Sequence, residues 1–257
     1  MEEKIQELAA EVSARVSAEI REAYGPSLAD EFSGIMMESG IGLAMCESPA
    51  SSSTSRHHCF KGGLLVHSAE VAVMSLAATN AAEAARTGNP ASPRARADAM
   101  VAAILHDANK TVDVASHTRR LYVANVLKSG KVSDLKPWKR NKEFLSPAQE
   151  EIDLHPEDSM ERVALEYFGR WASKIPEGWI STKVVDSVAP GFLDSMSPDV
   201  RQAIELHAGG YCRTTSMEAS GSESELAIAV HYADMMSSRG KFVLAEPWHG
   251  SFAAGVR

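Results

Sequence analysis

The chain predicts an all-α fold, a helical bundle interrupted by one small β-hairpin, and three observations carry that expectation. Ile5, Leu8, Ala9, Val12, Val16 and Ile20 recur at helical spacing with charges between them. Gly63 to Ala85 is a long alanine-rich run that reads as one helix. The apolar stretch Ala99 to Leu105 sits inside a further helix expected over Arg94 to Asp107.

The first helix covers Glu2 to Tyr24 and is stopped by Gly25 and Pro26. A second is expected over Ser27 to Glu38, and residues 1–46 together read as a helical extension packing on the main domain. Glu47 to Ser55 is serine-rich and reads as a loop. Gly88, Pro90 and Pro93 mark the loop between the two long helices. Further helices are expected over Asp158 to Ser173, Pro198 to His207 and Ser222 to Ser238. Between them, Leu121 to Val126 reads as a strand, Ser129-Gly130 as a turn and Lys131 to Leu135 as the return strand. Residues 47–239 form the expected main domain, and 240–257 a C-terminal tail.

Composition bounds the function. With 257 residues and 44% hydrophobic content the chain can bury a full core. A net charge of −8 argues against a general polyanion binder, although a local basic pocket remains compatible with a nucleotide or an RNA end. Cys46, Cys59 and Cys212 are widely spaced and odd in number, which suits a reducing compartment. The opening Met1-Glu2-Glu3-Lys4 lacks the apolar core of a signal peptide, and Ala99 to Leu105 is too short to cross a bilayer. A cytoplasmic protein without membrane partners is the expectation.

The strongest local signal is the pair His106-Asp107, which closes the apolar run Val101-Ala102-Ala103-Ile104-Leu105. Burying such a pair is costly without compensation, and a divalent cation supplies it. Imidazole with carboxylate suits manganese, iron, cobalt, nickel or zinc. A salt-bridged or capping pair is the competing reading of the dipeptide alone. Lys110 follows His106 at helical spacing and would share its face if the turn continues. Asn109 stands where a helix end often adopts a left-handed residue. His67 points along an apolar face with Leu64 and Val71, as a core histidine or as a ligand. Asp234 lies among Ala227, Ala233 and Met235, with His231 one turn before it and no lysine or arginine at helical spacing before it, which favours a metal role.

These pieces together resemble the HD-domain superfamily of metal-dependent phosphohydrolases. The resemblance rests on Leu64-Leu65-Val66-His67-Ser68-Ala69-Glu70-Val71, Ile104-Leu105-His106-Asp107-Ala108-Asn109-Lys110 and His231-Tyr232-Ala233-Asp234. Upstream, His57-His58-Cys59-Phe60-Lys61-Gly62-Gly63-Leu64-Leu65-Val66-His67 is similar to the opening of two subgroups. One contains the YhaM-type 3′–5′ exoribonucleases, the other the HD domains associated with conjugative relaxases. The expected hairpin and Pro137-Trp138 lean toward the second. The chain departs from the family at Asn109, where glycine is usual, and at Leu206-His207, where two histidines are usual.

The resemblance implies an HD-domain helical bundle that hydrolyses a phosphate ester or diester of a nucleotide or nucleic-acid end. It implies one or two divalent transition-metal ions, held by His67, His106, Asp107 and Asp234, with Asp107 bridging to an outer ion on His155 and His207. Asp107 and Lys110 are the expected catalytic pair, Lys110 stabilising charge on the phosphoryl group. His57 or His58 would contact substrate phosphate or orient a ligand. The run Lys136-Pro137-Trp138-Lys139-Arg140-Asn141-Lys142 is either a solvated loop or a phosphate contact with Trp138 stacking on a base, which Arg119 and Arg120 would join. His117, His231 and His249 have weaker claims. Three other functions stay open: a di-iron oxygenase on the same ligand set, a non-catalytic nucleic-acid or partner-binding module with a structural metal, and a nuclease accessory acting on DNA or RNA ends, which the basic run would serve.

Overall fold

The computed structural model describes residues 2–38, 41–48, 50, 57–58, 60–111, 177–209 and 223–239. Every regular element among them is helical, and no strand occurs among the described residues. The hairpin expected over Leu121 to Leu135 and the helix expected over Asp158 to Ser173 lie outside the described residues, as does the tail 240–257.

Helix α1 (Glu2–Tyr24) buries Ile5, Leu8, Val12, Val16 and Ile20 on one face, the face their spacing defines. Pro26 occupies the first turn of α2 (Pro26–Met37), where its missing N–H leaves no bond unmade. Helix α2 buries Phe32, whose ring stands 6.1 Å from that of Phe192. A short α3 (Ile41–Glu47), absent from the sequence expectation, follows and packs on α2 and α4.

Two helices form the centre. In α4 (Gly63–Thr87) every residue from Gly63 to Ala72 is buried, so its first half has neighbours all round. Leu64, Leu65 and Leu76 are fully enclosed, each contributing roughly 1.5–3 kcal/mol by leaving water. By length and composition α4 is apolar enough to span a bilayer, yet 61% of its most apolar window is buried inside this core. Helix α5 (Pro93–Leu105) starts at Ser92, whose Oγ accepts from Ala95 N at 3.2 Å, and buries all residues from Ala97 to Leu105.

After α5 the chain tightens into a 3-10 turn, Ala108–Lys110. Helix α6 (Glu177–Val188) packs against that turn and against α7 (Pro198–Leu206). Helix α8 (Glu225–Arg239) lies across α4 and α7 and also touches α5. One continuous apolar cluster runs from Ile5 of α1 to Ala233 of α8. The ends of α5 and α7, the start of α4 and the middle of α8 therefore meet at one place.

Candidate metal centre

That meeting place is polar. His67 comes from α4, His106 caps the end of α5, Asp107 follows it, His207 caps the end of α7, and Asp234 comes from α8. His67, His106 and Asp107 are at most 1% exposed, and His207 2%. From His106 Nε2 it is 3.3 Å to His67 Nε2, 3.3 Å to Asp107 Oδ2 and 3.9 Å to Asp234 Oδ1. His67 Nε2 stands 3.1 Å from Asp234 Oδ1 and 3.6 Å from Asp107 Oδ2. His207 Nε2 approaches the other oxygen, Asp107 Oδ1, at 3.5 Å.

The hydrogen bonds behind these rings fix where the protons sit. His106 Nδ1 donates to Ala103 O at 2.6 Å and His207 Nδ1 to Ile204 O at 2.7 Å. Ser237 donates its hydroxyl to Glu70 Oε2 at 2.6 Å, so its oxygen accepts from His67 Nδ1 at 2.8 Å. In the neutral form, all three imidazoles then turn an Nε2 lone pair toward two carboxylates. Acceptors facing acceptors repel, and a shared cation removes the repulsion. Atoms about 2.0–2.2 Å from one cation stand about 3 to 3.6 Å apart, and most of the separations above fall there. Among the described residues Asp107 Oδ1 is buried without a hydrogen-bond partner, an orphan that an ion would satisfy.

The charges agree with this picture. Burial, opposed by Asp234 and Asp107, leaves the His67 imidazole below its ordinary value, hence neutral. Burial opposes ionisation of Asp107, but Lys110 and His106 hold it well below the carboxylate range. Burial likewise opposes ionisation of Asp234, and His67 and His106 outweigh it. Burial works against a charged His106, yet Asp107 and Asp234 raise it, which shows how strongly the two carboxylates draw positive charge to that point. Lys110 Nζ, 2.6 Å from Asp107 Oδ2, and His106 are the groups that offset the two carboxylates among the described residues. These buried His and Asp groups can hold a metal ion.

The surroundings correct two expectations. Helix α5 ends at Leu105, so Lys110 does not share a helical face with His106. The 3-10 turn instead folds it back onto Asp107. Asn109 is not left-handed. It lies within that turn, its N–H bonded to Ser181 Oγ at 3.1 Å and its Oδ1 accepting from the same hydroxyl at 2.9 Å. His155, Arg119, Arg120, Trp138, Lys139 and Arg140 lie outside the described residues.

His57 and His58 come close to the centre, with rings 5.0 and 5.5 Å from that of His67. Burial first, then His67 and His58, push the His57 imidazole down to about 4. The Gly62-Gly63 pair makes this approach possible. Gly62 has φ 79°, and a Cβ on Gly63 would stand 2.0 Å from His58 O.

Sequence reasoning missed the supporting residues. Glu70 and Ser237 orient His67, Ser181 anchors Asn109, and His231 Nδ1 donates to His207 O at 2.6 Å. A usable signal existed for Glu70, a carboxylate one turn after His67 inside an apolar helix. Compared with family models, with curated proteins and with solved structures, the chain finds no match.

Proposed function

We propose that the chain is a metal-dependent phosphohydrolase of the HD-domain type, acting on a nucleotide or a nucleic-acid end. One observation carries the reading. Three imidazole nitrogens and two carboxylates converge as acceptors, with a lysine at their edge. The helical frame suits an HD-domain bundle, because α8 with Asp234 packs against both α4 with His67 and α5, which ends at His106.

A bound divalent cation would polarise a phosphoryl oxygen and lower the pKa of a bound water toward neutrality. His67, His106, Asp107 and Asp234 would hold it, their rings pre-oriented by Ser237 and by Ala103 O. Asp107 presents Oδ1 to His207 and Oδ2 to His67 and His106, an arrangement that suits two ions sharing one carboxylate. Lys110, 28% exposed at its side chain, neutralises Asp107 from one side and can reach an incoming anion from the other. The basic run around Trp138 would supply contacts to a longer substrate.

The test is a panel of mononucleotide, triphosphate, cyclic nucleotide and oligonucleotide substrates with manganese or zinc under strict anaerobiosis. Phosphate release with oxygen-18 taken up from labelled water is the expected result. Activity that requires dioxygen and reduced iron would overturn the hydrolase and make the chain an oxygenase.

A further inference from the structure

Beside the carboxylate centre lies a second group of ring nitrogens that the proposed hydrolysis does not use. His58 has φ 48°, the one described non-glycine residue with positive φ, a conformation that persists where the surroundings enforce it. Its carbonyl accepts from Ala50 N at 3.1 Å, which ties the turn to the body of the protein. Its Nε2 lies 3.2 Å from Glu70 Oε2, and both side chains are almost fully buried. Glu70 is an acceptor, so His58 Nε2 is the donor and its Nδ1 carries the lone pair.

That Nδ1 is buried and has no hydrogen-bond partner among the described residues. His57 Nε2 is likewise buried and without a partner among those residues. One ring nitrogen from each of His57, His58 and His67 falls within 4.8 Å of the others. Buried polar atoms in folded proteins are nearly always satisfied, so two orphans side by side on neighbouring imidazoles point to a missing ligand. We propose that the His57–His58 turn is a second cation station, taking a borderline transition-metal ion such as zinc, cobalt or nickel. Imidazole nitrogens without carboxylate select such ions over magnesium or calcium. His67 Nε2 has a single lone pair, directed at Asp234 and Asp107, so the second ion completes its shell with water or a substrate oxygen.

The station stands whether or not the centre hydrolyses phosphate, and counting ions separates the two claims. Metal-free protein is loaded with cobalt(II), freed of excess, and its bound equivalents are measured by elemental analysis and visible absorption. The comparison uses wild type, H57A, H58N and D107A; asparagine at 58 tolerates the left-handed backbone. Wild type is expected to hold one equivalent more than H57A or H58N, while D107A loses the central equivalent and keeps this one. Equal cobalt in wild type, H57A and H58N overturns the station, even if D107A is depleted. If wild type takes up no cobalt, the station and the central site fall together. Should H57A lose its helical circular dichroism, H58N decides, together with the cobalt-shifted proton signal expected from the His58 Nε2–H in wild type.

Discussion

Two polar clusters join helices of this protein, each around a buried carboxylate, and they differ in one respect. At the junction of α1, α5 and α7, Tyr24 donates its hydroxyl to Asp98 Oδ1 at 2.5 Å and accepts from Arg94 Nε and Ser197 N, both at 3.1 Å. Every polar atom named there meets a partner of the opposite kind, and Arg94 also stacks on the Tyr24 ring at 5.1 Å. Around Asp107 and Asp234 the acceptors outnumber the donors among the described residues, and Asp107 Oδ1 has no hydrogen-bond partner there. A balanced cluster holds helices together; an unbalanced one asks for a ligand. Both clusters hold a buried carboxylate, Asp98 in one and Asp107 in the other, and the count of protons around it separates them.

The largest expected effect lies at the unbalanced cluster. Loading the metal-free protein with manganese or cobalt should raise its melting temperature, by about 4 kcal/mol of stability at a thousandfold excess over Kd. A Y24F variant should show the same metal response from a lower starting point. A metal response that disappears in Y24F would break the division between the clusters.

Next comes Ser237. Ser237→Ala removes the acceptor that fixes the His67 proton on Nδ1. Metal affinity should fall about 10- to 100-fold, measured by competition with a chromophoric chelator, and metal-free stability by about 1–3 kcal/mol as Glu70 and His67 lose their shared hydroxyl. Unchanged affinity would mean that the Glu70–Ser237–His67 relay does not hold the ligand.

Tyr24→Phe leaves Asp98, Arg94 and Ser197 N without their shared hydroxyl. Chemical denaturation should show a loss of about 1–3 kcal/mol, with metal content unaltered. The smallest effect is that of pH on the same junction. Burial raises the Asp98 carboxyl from 3.8 to about 6, despite the hydrogen bond from Tyr24. The folded state therefore holds this proton more tightly than the unfolded chain. The added stability is complete below about pH 4 and is lost as pH rises through about 6. It amounts to about 2 kcal/mol once solvent screening is allowed for. D98N should flatten that slope in denaturation curves recorded from pH 4 to 7; an unaltered slope would assign it to another group.

What the sequence made legible divides along similar lines. Helix α1 appears over Glu2–Tyr24 as its spacing predicts, because its apolar residues face one side and Gly25-Pro26 ends it. Helices α4 and α5 were legible because long apolar runs leave little choice. Helix α6 was not. Thr182, Val184, Val185 and Val188 are β-branched, and only packing against α7 and the 3-10 turn favours a helix there. That His67, His106, Asp107 and Asp234 come together was legible, since charges that end or interrupt apolar helices are conspicuous. The pairing of Ser237 with Glu70 was not, because one polar side chain in a helix says nothing about its partner 167 residues away. The turn back from His106 to Lys110 escaped for a similar reason. Helical spacing continues on paper where the backbone tightens to 3-10.

The central claim is that the acceptors of α4, α5 and α8 share a cation. Elemental analysis of purified wild type, H106A and D107A tests it most directly, with circular dichroism to establish that each variant is folded. Wild type should carry at least one transition-metal ion per chain, and both variants should lose most of it. Equal metal in all three folded proteins would contradict the centre as described.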